Sequence, residues 1–199
     1  GMMVGIFAGL ALLQSALTLV ISLALLVTVS HLDDMYGLPV PVRFGVQLAS
    51  AAVFAFNTLS MSPIPQLVLI VAAILWATNL YNFMDGSDGL AGGMATLGFG
   101  FLAAGAWMNG SHVLLAECLT VTAAAAAFLA FNFPPARIFM GDAGSVPLGF
   151  LAAALSLGGW RVEAWPLWFP LLVFAPFVAD SSITLVKRLL ARERVWEAH

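Results

Sequence analysis

Five aspartates hold the chemistry this sequence could perform. Asp33 and Asp34 are adjacent, Asp85 and Asp88 sit in M-D-G-S-D-G-L, and Asp142 sits in G-D-A-G-S. Charged residues make up only 9% of the 199, so carboxylates from three segments gathered at one place would repel each other unless a cation joined them. Hard oxygen donors with open positions suit Mg²⁺, or Mn²⁺ as the alternative, with substrate phosphates completing the shell. The glycines beside Asp85, Asp88 and Asp142 let backbone approach a ligand closely. Helix starts expected near Leu90 and Val146 would point free N–H groups at a phosphate. Asn79 and Asn82 precede the acidic stretch, and Phe139, Phe83 and Tyr81 could supply a surface on which a base stacks. This inventory suits metal-dependent phosphoryl transfer.

Each element also has a structural use. Asp88 and Ser145 fit as N-caps of the following helices. Asn79 and Asn82 could satisfy a helix C-terminus. Asp33-Asp34 could be a solvated turn, and Arg43 and Arg137 could anchor topology. If the chain is helical around Asp85 and Asp88, their three-residue spacing puts them on one face. Asp180 lies seven residues before Lys187 on one side of a helix, which favours a functional role for it.

The elements that must position these residues are membrane helices. The chain is 62% hydrophobic with a mean hydropathy of +1.01, far above soluble domains. Long uncharged runs predict an all-α polytopic bundle, read as a single integral membrane domain over residues 1–199, with about seven segments of roughly 20 residues. They fall at Met2–Ser30 (one tilted crossing), Phe44–Leu59, Gln66–Leu80, Leu90–Met108, Val113–Phe131, Val146–Trp160 and Trp165 to about Ser182. His31 to Arg43 reads as a polar, turn-rich connection, and Lys187–His199 as a basic amphipathic tail suited to the membrane interface. Gly1-Met2-Met3 lacks the basic start of a signal peptide and suggests a trimmed or fragmentary chain. The single cysteine, Cys118, lies in an apolar run and reads as a small buried residue.

Counting crossings fixes the sides. Two lie between the Asp33-Asp34 segment and the Asp85–Asp88 segment, two more lead to the Asp142 segment, and two more to the tail. An even number returns the chain to the same face, so all four polar segments share one surface. Arg43, Arg137, Lys187, Arg188, Arg192 and Arg194 fall on that side, and only Arg161 opposes them. By the positive-inside rule that side is cytoplasmic.

Several other chemistries are excluded. The aspartate spacing is wrong for an EF-hand, and Thr96 stands where its distal Glu would be. There is no Cys/His zinc pattern and no Walker A sequence. The tail is too short and too mixed in charge for a nucleic-acid surface.

Three blocks, in order, carry a family likeness: L-D-D-M-Y-G-L-P-V-P-V-R-F-G-V-Q from Leu32, N-L-Y-N-F-M-D-G-S-D-G-L-A from Asn79, and F-M-G-D-A-G-S from Phe139. With them the chain resembles the polyprenyl-phosphate N-acetylhexosamine-1-phosphate transferases of glycosyltransferase family 4. That group includes phospho-N-acetylmuramoyl-pentapeptide transferase and the undecaprenyl-phosphate GlcNAc-1-phosphate transferases. The resemblance implies transfer of a sugar-1-phosphate from a UDP-sugar to undecaprenyl phosphate, with release of UMP. It places the enzyme in the bacterial inner membrane with a cytoplasmic site, and leaves a homo-oligomeric assembly open. It implies Asp142 as the Mg²⁺ ligand and Asp33 and Asp34 beside the metal and the lipid phosphate, Asp33 being the candidate base. It implies Asn79, Asn82, Asp85 and Asp88 around the nucleotide-sugar, with Phe139 stacked on the uracil.

Gly37 and Leu38 follow the aspartate pair where the peptidoglycan enzyme would carry a lysine. The closing R-V-W-E-A-H resembles polysaccharide- and O-antigen-initiating members, so a role in lipopolysaccharide or other cell-surface polysaccharide synthesis is expected over one in peptidoglycan. The family's first helix, its Gly-rich loop and its C-terminal His/Arg loop have no counterpart here, so the chain reads as truncated at both ends. An inactive fragment serving as an assembly subunit is one alternative. A transporter using intramembrane carboxylates is another, and it would place those acids near helix midpoints.

Crossing parity has a direct check. A thiol reagent that cannot cross the bilayer should label Ser87→Cys and Ser111→Cys from opposite sides; labelling of both from one side would overturn the topology.

Overall fold

A computed structural model describes residues 1–13, 16–59 and 62–190, the side chains of residues 182, 185, 186 and 188–190 excepted. The closing R-V-W-E-A-H and most of the basic tail therefore lie outside the described residues. The described chain is helical throughout: α1 (Met2–Leu12), α2 (Leu17–Tyr36), α3 (Val40–Thr58), α4 (Ile64–Met84), α5 (Leu90–Met108), α6 (His112–Asn132), α7 (Asp142–Arg161), α8 (Trp168–Val173) and α9 (Ala175–Leu190). Six of them, α2 to α7, are long and apolar enough to cross a membrane. The chain is thus an all-α integral membrane protein.

Five boundaries differ from expectation. Met2–Ser30 is not one crossing. It divides into α1, at 11 residues about 16 Å long and so roughly half a bilayer core, and the first part of α2. The start of α3 lies at Val40 rather than Phe44. Pro39 is its N-cap and Pro41 falls in its first turn, where a missing N–H costs nothing because first-turn donors have no intrahelical partner. Pro63 and Pro65 start α4 in the same way. At the other end of α2 the helix runs on to Tyr36, so Asp33 and Asp34 belong to its last turn and not to a loop. Gly37 then ends it in the left-handed conformation (φ 65°), its N–H donating to the Asp33 carbonyl at 2.8 Å. The last segment is bent, since α8 and α9 meet at Phe174 and Pro176 cannot donate to the preceding turn.

The core is built around α7, in which every residue from Gly144 to Ala152 is buried. It packs against α2 and α4, while α5 pairs with α6, and α1 lies on α6. Small residues permit these approaches. At Gly149 a Cβ would stand 2.7 Å from the Tyr81 Cβ and 2.8 Å from both the Ala77 carbonyl oxygen and the Thr78 Cα, so α4 and α7 touch backbone to backbone. From that contact Tyr81 extends to donate from its hydroxyl to the Ala91 carbonyl at 2.7 Å and meets Phe177 of α9 edge-on at 5.0 Å.

Hydrogen bonds confirm which ends lie together. Asp34 is bonded to the start of α7, Asp88 to Ala136, and Gly89 to Asn132. At the opposite end the Asn109 side chain reaches the Glu163 carbonyl, and Thr58, Ser111 and Arg161 border one cavity. The alternation read from crossing parity is therefore the observed one.

Because the Gly149 neighbours are backbone atoms and a Cβ carbon, they cannot swing aside. Gly149→Val should destabilise the bundle by about 1–3 kcal/mol, read as a lower melting temperature in detergent; a melting temperature equal to that of wild type would show that α4 and α7 are not in backbone contact.

Candidate active site

At the end shared by the acidic segments, α2, α3, α4, α7 and α9 enclose a cleft of about 530 Å³. Its wall is mixed. Asp33, Arg43, Asn82 and Asp142 line it with Gln47 and Asn79, between apolar residues that include Phe44, Phe83, Leu80 and, deeper, Leu26 and Trp76.

The carboxylates are held in different ways. Asp34 accepts the Asp142 N–H at 3.1 Å with Oδ1 and the Ala143 N–H at 3.0 Å with Oδ2. It thereby caps α7 from a different helix. These are the donors expected to face a phosphate near Val146, but the helix starts at Asp142 and Asp34 takes them. The arrangement needs Gly141, whose φ is 65° and where a Cβ would lie 2.9 Å from Asp34 Oδ2. Both oxygens of Asp33 are also engaged, Oδ1 by the Leu38 N–H at 2.7 Å and Oδ2 by Arg43 Nη1 at 2.8 Å. Its side chain is only 8% exposed. The same Arg43 nitrogen lies 3.6 Å from Asp142 Oδ2.

Asp142 is left facing the cleft, its side chain 31% exposed. Asn82 hydrogen-bonds to it and accepts from the Ser145 hydroxyl, which is also directed at the Gly141 carbonyl. Asn82 therefore ties the end of α4 to the first turn of α7, and Ser145 is a partner inside that turn rather than its cap. Asn79, one turn deeper, donates to Gln47 Oε1 and to the Leu75 carbonyl, both at 2.8 Å.

Asp85 and Asp88 do not share a helical face. The helix stops at Met84, and the turn before Leu90 separates them. Asp85 stays near Asp142 and Asp34. Burial first, then those two negative charges, raise its pKa from 3.8 to about 7. Asp88 is exposed and accepts the Ala136 N–H at 3.0 Å; the α5 N-cap is Gly89, not Asp88. Phe139 is 78% exposed and outside the cleft lining. Tyr81 is buried in the α4–α9 contact and offers no stacking face. Asp180 and Lys187 are exposed on α9, with no ion pair between them among the described residues.

Two contributors were not assigned a role from sequence. Gln47 is one turn beyond Arg43 on α3, a spacing that puts both on one helix face. Asn132 accepts the Gly89 N–H and donates to the Ile138 carbonyl, fastening the loop before Asp142 to the start of α5.

No group of three or more His, Cys, Asp or Glu side chains among the described residues forms a closed metal cage. The donor set still fits Mg²⁺, which is commonly held by one or two carboxylates with waters and substrate phosphates. Asp142 offers an accessible carboxylate, and the negative charges of Asp142 and Asp34 add to the burial that raises the pKa of Asp85, a repulsion that a cation would relieve.

A polytopic helical membrane protein with a carboxylate-lined cleft at one end of its bundle is the class that fold and site define. Residues 16–159 match glycosyl transferase family 4, and the chain belongs to that family. It is 30% identical to a probable undecaprenyl-phosphate N-acetylglucosaminyl 1-phosphate transferase of Bacillus subtilis over 98% of this chain and 59% of that protein. It is 35% identical to a phospho-N-acetylmuramoyl-pentapeptide-transferase of Geobacillus kaustophilus over 68% of this chain and 51% of that protein, and 34% identical to one of Enterococcus hirae over 64% and 40%. The chain thus spans only part of the length of the relatives it matches.

The raised pKa of Asp85 makes a signed prediction. Folded Asp85 keeps a proton that the unfolded chain releases, so its contribution to stability is lost as pH rises from 3.8 towards 7. Asp85→Asn should therefore raise the melting temperature of the metal-free protein at pH 8 and leave it nearly unchanged at pH 4. Equal shifts at both values would show that Asp85 carries no such penalty.

Proposed function

We propose that this protein transfers an N-acetylhexosamine-1-phosphate from a UDP-sugar to undecaprenyl phosphate in a Mg²⁺-dependent reaction. It releases UMP at the cytoplasmic face of the bacterial inner membrane and initiates a cell-surface polysaccharide such as O-antigen. The observation that carries the reading is the junction of two unlike cavities. The polar cleft shares Trp76 and Leu80 with an apolar groove of about 380 Å³ between α4, α7, α8 and α9. A substrate with a phosphate head and a long hydrocarbon tail matches that sequence of surfaces, and family membership supports the same chemistry.

In this reading an oxygen of the lipid phosphate attacks the donor phosphorus that bears the sugar. The bond from that phosphorus to the oxygen bridging it to UMP breaks, and UMP leaves with the electron pair. The acceptor oxygen is already anionic near neutral pH, so no base is required to create the nucleophile. Asp33 then serves by orienting Arg43, whose guanidinium supplies positive charge beside the reacting phosphates. Asp142 would hold Mg²⁺, which would supply positive charge against the donor pyrophosphate and the leaving UMP. Asn82 and Ser145 fix the Asp142 end of α7, and Asp34 fixes its first turn. Asp85 would meet the nucleotide-sugar from the α4–α5 turn, while Asp88 and Phe139 stand outside the cleft lining. The carboxylates stand at helix ends and not at mid-membrane, which disfavours a carrier.

UMP release from UDP-N-acetylglucosamine, measured with undecaprenyl phosphate in detergent, tests this reading. Activity should disappear in EDTA and return with Mg²⁺, and Asp142→Asn should lower kcat by about 100-fold or more. Turnover in EDTA, or full activity of the variant, would sink it.

A further inference from the structure

A pair of amides lines the cleft one turn in from its charged groups. Gln47 on α3 and Asn79 on α4 join across the gap through Asn79 Nδ2 and Gln47 Oε1. They stand one helical turn deeper than Arg43 and Asn82, their neighbours on the same two helices. Leu80 stands beside Asn79 and Trp76 about one turn below it, and these are the two residues that the cleft shares with the apolar groove. Asn79 Nδ2 spends one hydrogen on Gln47 and the other on the Leu75 carbonyl. Gln47 accepts with Oε1, and its Nε2 has no hydrogen bond to any described residue. The pair thus presents the uncommitted Gln47 amide donors beside the residues through which the cleft adjoins the apolar groove. Near a bilayer a donor without a partner is costly, and the site's charges all lie one turn further out.

We propose that Gln47 binds the head of the lipid acceptor, Oε1 holding Asn79 in place and Nε2 donating to the phosphate of a polyprenyl phosphate whose chain lies in the adjoining groove. This rests on the lipid-acceptor part of the function proposed above. An amide suits the position better than a cation. It can be left unliganded at the membrane edge at a smaller cost than a charge, and it does not compete with Arg43 for Asp33 and Asp142. A hydrogen bond from a neutral donor to a charged oxygen is strong enough to change affinity by about tenfold.

Binding separates this role from packing. Gln47→Glu keeps an oxygen for Asn79 but replaces the donor with an anion, whereas Gln47→Leu removes both. Dissociation constants for decaprenyl phosphate, for decaprenol and for UDP-N-acetylglucosamine would be measured on the purified chain in detergent. Expected is a loss of about tenfold for decaprenyl phosphate in Gln47→Leu and a larger loss in Gln47→Glu. Binding of the alcohol and of the nucleotide-sugar should stay within about twofold of wild type. Equal weakening of phosphate and alcohol would assign Gln47 to packing and overturn the proposal. So would decaprenyl phosphate binding in Gln47→Glu equal to that of wild type. Wild-type binding of decaprenyl phosphate without UMP release would remove the proposed reaction and leave Gln47 as an acceptor contact. No binding of decaprenyl phosphate by wild type would overturn both.

Discussion

The site depends on the cap that Asp34 places on α7. A helix start leaves N–H groups without partners, and here two of them point at a carboxylate from α2, 108 and 109 residues earlier in the chain. That one contact sets where α7 begins, and therefore where Asp142 stands. It also holds α2 against α7 through two charge-assisted hydrogen bonds. Gly141 is the permissive residue, since a side chain there would strike the carboxylate and strain the left-handed backbone.

Capping by an acid has an electrostatic consequence. Asp34 brings negative charge to a place that already holds Asp33, Asp142 and Asp85. Arg43 offsets part of it by bonding Asp33 while lying 3.6 Å from Asp142. The pKa of Asp85 is raised first by burial and then by the charges of Asp142 and Asp34. Asp142 too is half-buried beside the charges of Asp34 and Asp33, so these are the two acids of the cluster that negative charge and burial disfavour. That is where added positive charge would lower the energy most.

Much of this was legible in the residues. The apolar runs gave the helices, and crossing parity gathered Asp33, Asp34, Asp85 and Asp142 at one end without reference to any relative. What could not be read were local choices that depend on tertiary partners. The prolines at 39, 41, 63 and 65 were read as turns, yet each pair opens a helix. Asp88 and Ser145 have the residue types of N-caps, but glycines occupy both caps, and the side chains bond to Ala136 and Asn82 instead. Spacing placed Asp85 and Asp88 together only on the assumption of a helix that ends at Met84. Tyr81 and Phe139 looked alike as aromatic candidates; α9 buries one and leaves the other outside the cleft.

The depth at which each polar group sits follows from what its desolvation costs. Charged groups are the most expensive to move from water, and here they occupy the outermost turn of α2, α3 and α7, where they pair or cap. Amides cost less, and Asn79 and Gln47 lie one turn further in, bonded to each other across the gap. Through Trp76 and Leu80 the cleft adjoins a groove lined mainly by apolar side chains. The charged and amide groups thus stand on the outer turns and the hydrocarbon surface extends inward from them. A ligand that is anionic at one end and hydrocarbon at the other would have its orientation fixed by that separation before any individual contact formed.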